Sequence, residues 1–349
     1  MPRGKVSNLK IYQGNKSVIK GKLFELVLKQ LLTKAGFSTN IVSDQLTRNQ
    51  KRLHGRGATY DPDVMGQFEM GIPFVNPIMI VGEAKNYNRQ VKLSNAREFL
   101  GAYIDFSQYE RVNTKAGGNA RYSSLYNTRF TYCPIYFSAK GFQKSAEGFM
   151  FVHGINYISY LNSDVIGKFF TLIDSILDQL TFSKFTSDDF RQFNDLNTLE
   201  NVRDEIKKRG FNRSLNNFMS YLNKVNSIVA VLDRKYPIHI LNEKGVFASL
   251  FKQVQLEPVK DDVYILQNVA GRKFGEFSLS ITFIKEYIGY ATKKDILDSI
   301  FKQIDIVISY KGAWEIRQLL IENTSRQRLF NIANPNPIQE ATGGTIPTQ

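Results

Sequence analysis

The sequence predicts an α/β fold: a mixed sheet flanked by helices, followed by a second, smaller α/β unit. Three observations carry that reading. Helical and extended periodicities alternate along the first 180 residues. Two extended runs, 63–70 and 78–85, flank a connection punctuated by Gly71, Pro73 and Pro77, and read as a hairpin. The second run is too apolar for a surface strand and turns polar only at its end.

The elements follow in order. Residues 17–35 read as a helix with an apolar face of Val18, Ile19, Phe24, Leu26, Val27, Leu31 and Leu32, closed by Ala35-Gly36-Phe37. Residues 40–62 are polar, basic and rich in turn formers. The hairpin comes next, then a helix over 92–109 and a loop over 111–128. A strand is expected at 131–138, edge-like or bulged because it contains Pro134. A short helix over 142–150, an extended stretch over 151–158 and a helix over 163–180 complete the first unit.

Residues 182–225 are polar, with helical pieces at 197–209 and 214–225. Beyond them, strands are expected at 227–232, 237–241, 263–268 and 277–284, and helices at 293–304 and 314–321. The tail from 334 has Gly, Pro and Thr and no apolar period. The boundaries drawn are therefore a first domain over 1–180, a helical linker over 181–225, an accessory α/β domain over 226–332 and a flexible tail over 333–349. The accessory domain would serve recognition, partner or dimer contacts.

Composition narrows the function classes. The chain has 349 residues, 42% apolar and 22% charged, which suits a folded protein with a sizeable core. Its formal net charge is +14, and residues 1–60 carry 12 Lys/Arg against 2 Asp/Glu. A basic face of that size favours a polyanion such as DNA or RNA. The single cysteine, Cys133, excludes an internal disulfide and fits a reducing cytoplasmic setting. His54, His153 and His239 are too scattered for a structural zinc site. No signal-peptide core or membrane-length apolar run is expected.

Two clusters carry the chemistry: Tyr60-Asp61-Pro62-Asp63-Val64, and Val81-Gly82-Glu83-Ala84-Lys85. Taken singly, an Asp before a strand is a turn former, and Glu-x-Lys at a strand end is a solvated rim. The hairpin changes that. Folding the chain back about Phe74 sets position 63 opposite 85, with 83 a diagonal neighbour. Glu83 and Lys85, two apart, share a face, while Ala84 points to the core and offers its carbonyl. Two carboxylates, a carbonyl and water suit a hard cation such as Mg2+.

These residues resemble the PD-(D/E)xK nuclease superfamily, whose fold is restriction-endonuclease-like. Its pattern is a helix with an acid, then a strand bearing Asp, then a strand bearing Glu-x-Lys. Here those positions are Glu25, Asp63, and Glu83 with Lys85. Within the superfamily the chain looks most similar to Mrr-type restriction enzymes and their defence relatives. The supporting stretches are Gly55-Arg56-Gly57-Ala58, Pro73-Phe74-Val75-Asn76-Pro77-Ile78, and Phe137-Ser138-Ala139-Lys140-Gly141-Phe142 with Ala146. The likeness spans about residues 15–160. The motif Asp can be assigned to Asp61 or Asp63; the hairpin register and Val64 favour Asp63.

The resemblance implies a metal-dependent endodeoxyribonuclease of restriction or anti-phage defence. Asp63, Glu83 and the Ala84 carbonyl would hold Mg2+ or Mn2+, and Lys85 would position the attacking water or steady the phosphate. Lys20, Lys22, Arg56 and Lys140 are candidate phosphate contacts, and Tyr87 and Asn88 would lie near the cleft. No helicase, Walker A or methyltransferase motif is present, so a separate helicase, ATPase or other defence subunit would supply such activities. A homodimer would give the two active sites that double-strand cutting needs. The rival readings are a non-catalytic module holding nucleic acid or a partner, and a junction or repair nuclease.

Overall fold

The computed structural model of the chain describes residues 4–39, 41, 52–68, 76–86, 88–108, 130–179, 199–208, 212–243, 252–260, 262–288, 292–310 and 313–334. The expected loop at 111–128, most of the hairpin connection, Tyr87 and the tail from 335 lie outside them.

Helix α1 (Gly4–Lys34) starts well before the expected position 17. Ile19, Leu23, Phe24, Leu26, Val27, Leu31 and Leu32 bury its apolar face. It stops as anticipated: Gly36 takes φ +97°, and the Phe37 amide returns to the Leu32 carbonyl at 3.0 Å. A short hairpin of β1 (Leu53–His54) and β2 (Thr59–Tyr60) follows.

The first sheet contains β3 (Val64–Phe68), β4 (Ile78–Lys85), β5 (Thr131–Ser138) and β6 (Asn156–Ser159), in that spatial order. β3 is antiparallel to β4, whereas β4, β5 and β6 run parallel. β5 pairs with β4 along 131–138 but with β6 only from Ile135, so Pro134 falls, as expected, where the strand has a strand partner on one side only among the described residues, and the register runs through it without a bulge. Helices α2 (Leu93–Ser107), α3 (Lys144–Val152) and α4 (Asp164–Gln179) supply the crossovers and flanking layers. Residues 151–152 end α3 rather than starting a strand.

β4 shows why the sheet is buried on both faces. Ile80 and Ala84 pack with α1 and α4 in one core, while Met79 and Val81 join Leu53 and Phe106 on the other side. Gly82 leaves room for Phe137; a Cβ there would come within 2.9 Å of that ring.

The segment expected as a linker packs into the first core. Val202 of α5 (Leu199–Lys208) and Leu215, Phe218 and Leu222 of α6 (Asn212–Lys224) are all buried there. Phe169 of α4 meets Phe218 and Tyr221 edge-on. The Lys34 ammonium donates to the carbonyls of Leu222 and Val225 at 2.5 and 2.6 Å, satisfying the C-terminal end of α6.

The second unit takes the form of a closed seven-stranded barrel ordered β10-β11-β8-β7-β12-β13-β9. Its strands are β7 (Asn226–Leu232), β8 (Tyr236–Asn242), β9 (Gln253–Lys260), β10 (Val263–Asn268), β11 (Lys273–Ser278), β12 (Gln303–Tyr310) and β13 (Ala313–Ile321). Helices α7 (Ile281–Ile288), α8 (Lys293–Asp298) and α9 (Asn323–Ala333) pack on it.

Several expectations are corrected here. The strand expected at 277–284 ends at Ser278. Ser280 then caps α7, its hydroxyl accepting from the Thr282 and Phe283 amides at 3.2 and 3.4 Å. The helix expected at 293–304 stops at Asp298, and Phe301 at φ +52° turns the chain into β12. The helix expected at 314–321 is strand β13, paired along its length with β12 and at its end with β9. A short apolar run does not itself distinguish the two periods; the pairing does.

Buried polar contacts join the barrel to the first unit. Tyr160 and Ser227 flank His239, each 2.6 Å from one of its ring nitrogens. Among the described residues, no helix is long and apolar enough to cross a membrane.

Candidate functional site

The hairpin register pairs Val64 with Gly82 and Phe68 with Ile78. One step beyond Val64 it sets Asp63 across from Glu83, rather than across from Lys85 as folding about Phe74 predicts. The offset is two residues, so every side chain keeps its face. The Asp63 carboxylate completes the ladder: its Oδ2 accepts the Ala84 amide at 2.9 Å. The Ala84 side chain lies in the α1-side core, and its carbonyl leaves the strand on the same edge as that amide.

Lys85 ties the acids together. Its ammonium lies 2.5 Å from Glu83 Oε2 and 3.3 Å from Asp63 Oδ2. The other Glu83 oxygen accepts from the Tyr60 hydroxyl. Tyr60 is held by stacking on Phe106 of α2, with centroids 5.4 Å apart and planes 18° apart. Asp61, the alternative motif acid, is 64% exposed and faces Arg52 at 3.6 Å. Asp63 is therefore the acid at the site.

Electrostatics distinguish the partners. Burial, then the Asp63 charge, push the Glu83 carboxyl up to about 7 despite Lys85. Burial also works against the Lys85 charge, but Asp63 and Glu83 together outweigh it and hold the ammonium above its usual range. The two shifts agree physically, because one ammonium serves two carboxylates. Lys85 gains from both, and Glu83 has only a share of it. Burial followed by Glu83 raises the Tyr60 hydroxyl, which stays protonated and donates.

Glu25 of α1 faces the same field. Burial, then Asp63, raise its carboxyl, and Lys22 lies 3.2 Å from its Oε2. Lys29, one turn further on, is lowered by burial and then by Lys22, against the pull of Glu25 and Asp63. The sequence does not single out Lys29, and it gives Tyr60 no role beyond its place in the cluster that holds the motif acid. The i,i+4 spacing from Glu25 was the available signal for Lys29. Asn86 is a third such residue: its Nδ2, immediately beyond Lys85, is buried without a hydrogen-bond partner.

The expected phosphate contacts diverge. Lys140 is exposed just beyond the C-terminal end of β5, the same end of the sheet as Lys85. Lys22 is bound to Glu25. Lys20 is taken up by Asp174 of α4 at 2.7 Å. Arg56 is held in a loop whose amides at Gly57 and Ala58 donate to Asp105 of α2 at 2.8 and 3.2 Å, and its own guanidinium reaches Gln108 at 3.1 Å. Asn88 lies in the short segment between β4 and α2.

Among the described residues, no three His, Cys, Asp or Glu side chains gather into a group able to hold a metal by themselves. The donor set still fits a cation that keeps much of its water. Two hard carboxylates and a strand-edge carbonyl match the way Mg2+ is usually held, through one or two carboxylates plus substrate phosphate and water. Burial, then the Asp63 charge, disfavour the charged form of Glu83, and a bound cation would offset both.

No protein-family model matches the chain, and no curated protein does. A comparison with solved structures finds the crystal structure of a protein of unknown function, AF1548. It is 14% identical, with a TM-score of 0.32, covering 58% of this chain and 96% of that one.

Proposed function

We propose that the protein is a metal-dependent endodeoxyribonuclease that hydrolyses DNA phosphodiester bonds in restriction or anti-phage defence. One observation carries this reading: Asp63, Glu83 and Lys85 meet at one end of the β3–β4 hairpin, held by the Ala84 amide and Tyr60. The parallel run of β4 and β5 behind an antiparallel β3, with α1 across one face, supports the restriction-endonuclease-like frame that the motif implies.

Asp63, Glu83 and the Ala84 carbonyl would hold Mg2+ or Mn2+. The cation, when bound, supplies activation of water and neutralisation of phosphate charge. The remaining roles belong to the chain. Tyr60 fixes the Glu83 carboxylate by donating to one oxygen, leaving the other to Lys85. Lys85, kept charged by its two acids, would steady a phosphate oxygen or orient the attacking water. Asn86 offers an amide N–H for the same phosphate. Lys140 and the basic residues of the first 60 positions would draw the backbone in through counterion release.

The test is cleavage of supercoiled, linear, branched and single-stranded DNA with Mg2+ or Mn2+, comparing the native chain with Asp63→Ala and Lys85→Ala. The reading requires cutting by the native chain and its loss in both variants. Undiminished cutting by both removes the site. Salt-dependent DNA binding without metal dependence or cutting would favour a binding module instead.

A further inference from the structure

A groove at the far side of the first sheet has no part in the site above. It opens where the C-terminal end of α3 and the start of β6 meet the barrel, and β6 is the edge strand opposite β3. Its volume is about 290 Å³, at the lower end of ordinary small-ligand clefts. Three aromatic rings from three elements line it. Phe151 of α3 and Tyr236 of β8 are 16° from parallel with centroids 6.3 Å apart. Phe283 of α7 meets both edge-on, at 5.9 and 4.4 Å.

The lining is also polar. Asn156 enters from β6, Ser278 from the end of β11 and Ser280 from the cap of α7. The Ser280 hydroxyl donates to the buried Glu147 at 2.7 Å, fixing its direction. Gly154, at φ +67° with nothing within 4 Å of an added Cβ, leaves bare backbone on the wall. Lys235 is exposed at the rim.

We propose that this groove binds a nucleotide, its base against Phe151, Tyr236 and Phe283 and its phosphate at Lys235. Flat rings from several elements suit a planar heterocycle. The exposed ammonium complements a phosphate. The same chemistry has two sources: a free nucleotide, or a base turned out of DNA. The groove's occupancy is independent of whether the protein cuts DNA, and the test reads binding alone.

The full chain is titrated with the four deoxynucleoside monophosphates and their nucleosides by calorimetry. Separately, it is titrated with duplexes carrying 2-aminopurine opposite an abasic site, read by fluorescence. Saturable binding of at least one nucleotide is expected, weakened about tenfold or more in Phe151→Ala. Lys235→Ala weakens the nucleotide by about three- to fivefold and leaves its nucleoside unchanged. If the source is extruded DNA bases, the monophosphates bind poorly and the 2-aminopurine signal changes in the native chain but not in Phe151→Ala. Lys235 is exposed, so its variant keeps the test decisive should Phe151→Ala misfold. The proposal is overturned if neither probe binds at millimolar concentration, or if binding is the same in native chain and variants.

Discussion

Asp63 Oδ2 accepts the backbone amide of Ala84 at 2.9 Å, which ties the acid ahead of β3 to the strand that carries Glu83 and Lys85. The bond explains how one short motif acid is aimed: a backbone donor, not a rotamer preference, sets its direction. Asp61, two residues earlier, has no such bond and faces Arg52.

That bond separates structure from chemistry at Asp63. Asp63→Asn keeps an oxygen for the Ala84 amide and removes the charge. The variant should melt near the native chain, while Mn2+ binding weakens and cleavage falls about 100-fold or more. Calorimetry with Mn2+ and a plasmid-nicking assay measure both.

Glu83 sets a pH dependence. Its folded carboxyl lies at about 7, above its ordinary 4.5, so its charged form is disfavoured by folding. The stability it contributes is fully present below 4.5 and is lost as pH rises through about 7. Cation binding runs the other way, strengthening as Glu83 loses its proton. Glu83→Gln should flatten the melting profile across this window and remove the pH dependence of Mn2+ binding. Mn2+ affinity that stays constant from pH 6 to 8 in the native chain would contradict the assignment.

The Gly55–Ala58 loop makes a packing prediction. A Cβ on Gly55 would lie 1.8 Å from Asp105 Oδ2, and the Ala58 carbonyl is also close at 2.8 Å. Gly55→Ala should cost about 1–3 kcal/mol in urea unfolding. Combined with Asp105→Ala, the loss should be less than additive, because one clash is removed.

His239 predicts an acid-side effect. Burial pushes its imidazole down to about 3, so it is neutral in the folded chain. Stability from this group is present above 6.5 and falls as pH drops towards 3, because the unfolded chain takes up the proton first. His239→Leu should reduce stability near neutrality by about 2–5 kcal/mol, since the Tyr160 and Ser227 hydroxyls lose their partner. Its acid-side melting slope should be shallower than the native one. Thermal melts between pH 7 and 4 read both.

The first unit was the more legible one. β4 and β5 match their expected ranges, because each is a compact apolar run. Glu83, Lys85 and Asp63 could be grouped because strand parity survives a two-residue error in register. The barrel was harder. β9 was not assigned at all, with Pro258 inside it and Glu257 and Lys260 exposed. β13 read as a helix because its apolar residues lack clean alternation; Ile316 and Leu320 are exposed while Leu319 and Ile321 are buried.

Periodicity and local turn chemistry are enough to specify the strand pair, its polar end and the residue types gathered there. Long-range packing settles the rest: Asp63 is the anchored acid, Tyr60 and Lys29 join it, Asp174 binds Lys20, and the second unit closes into a barrel. Those outcomes depend on contacts between segments tens to hundreds of residues apart. Such contacts leave no period in the sequence for a local reading to detect.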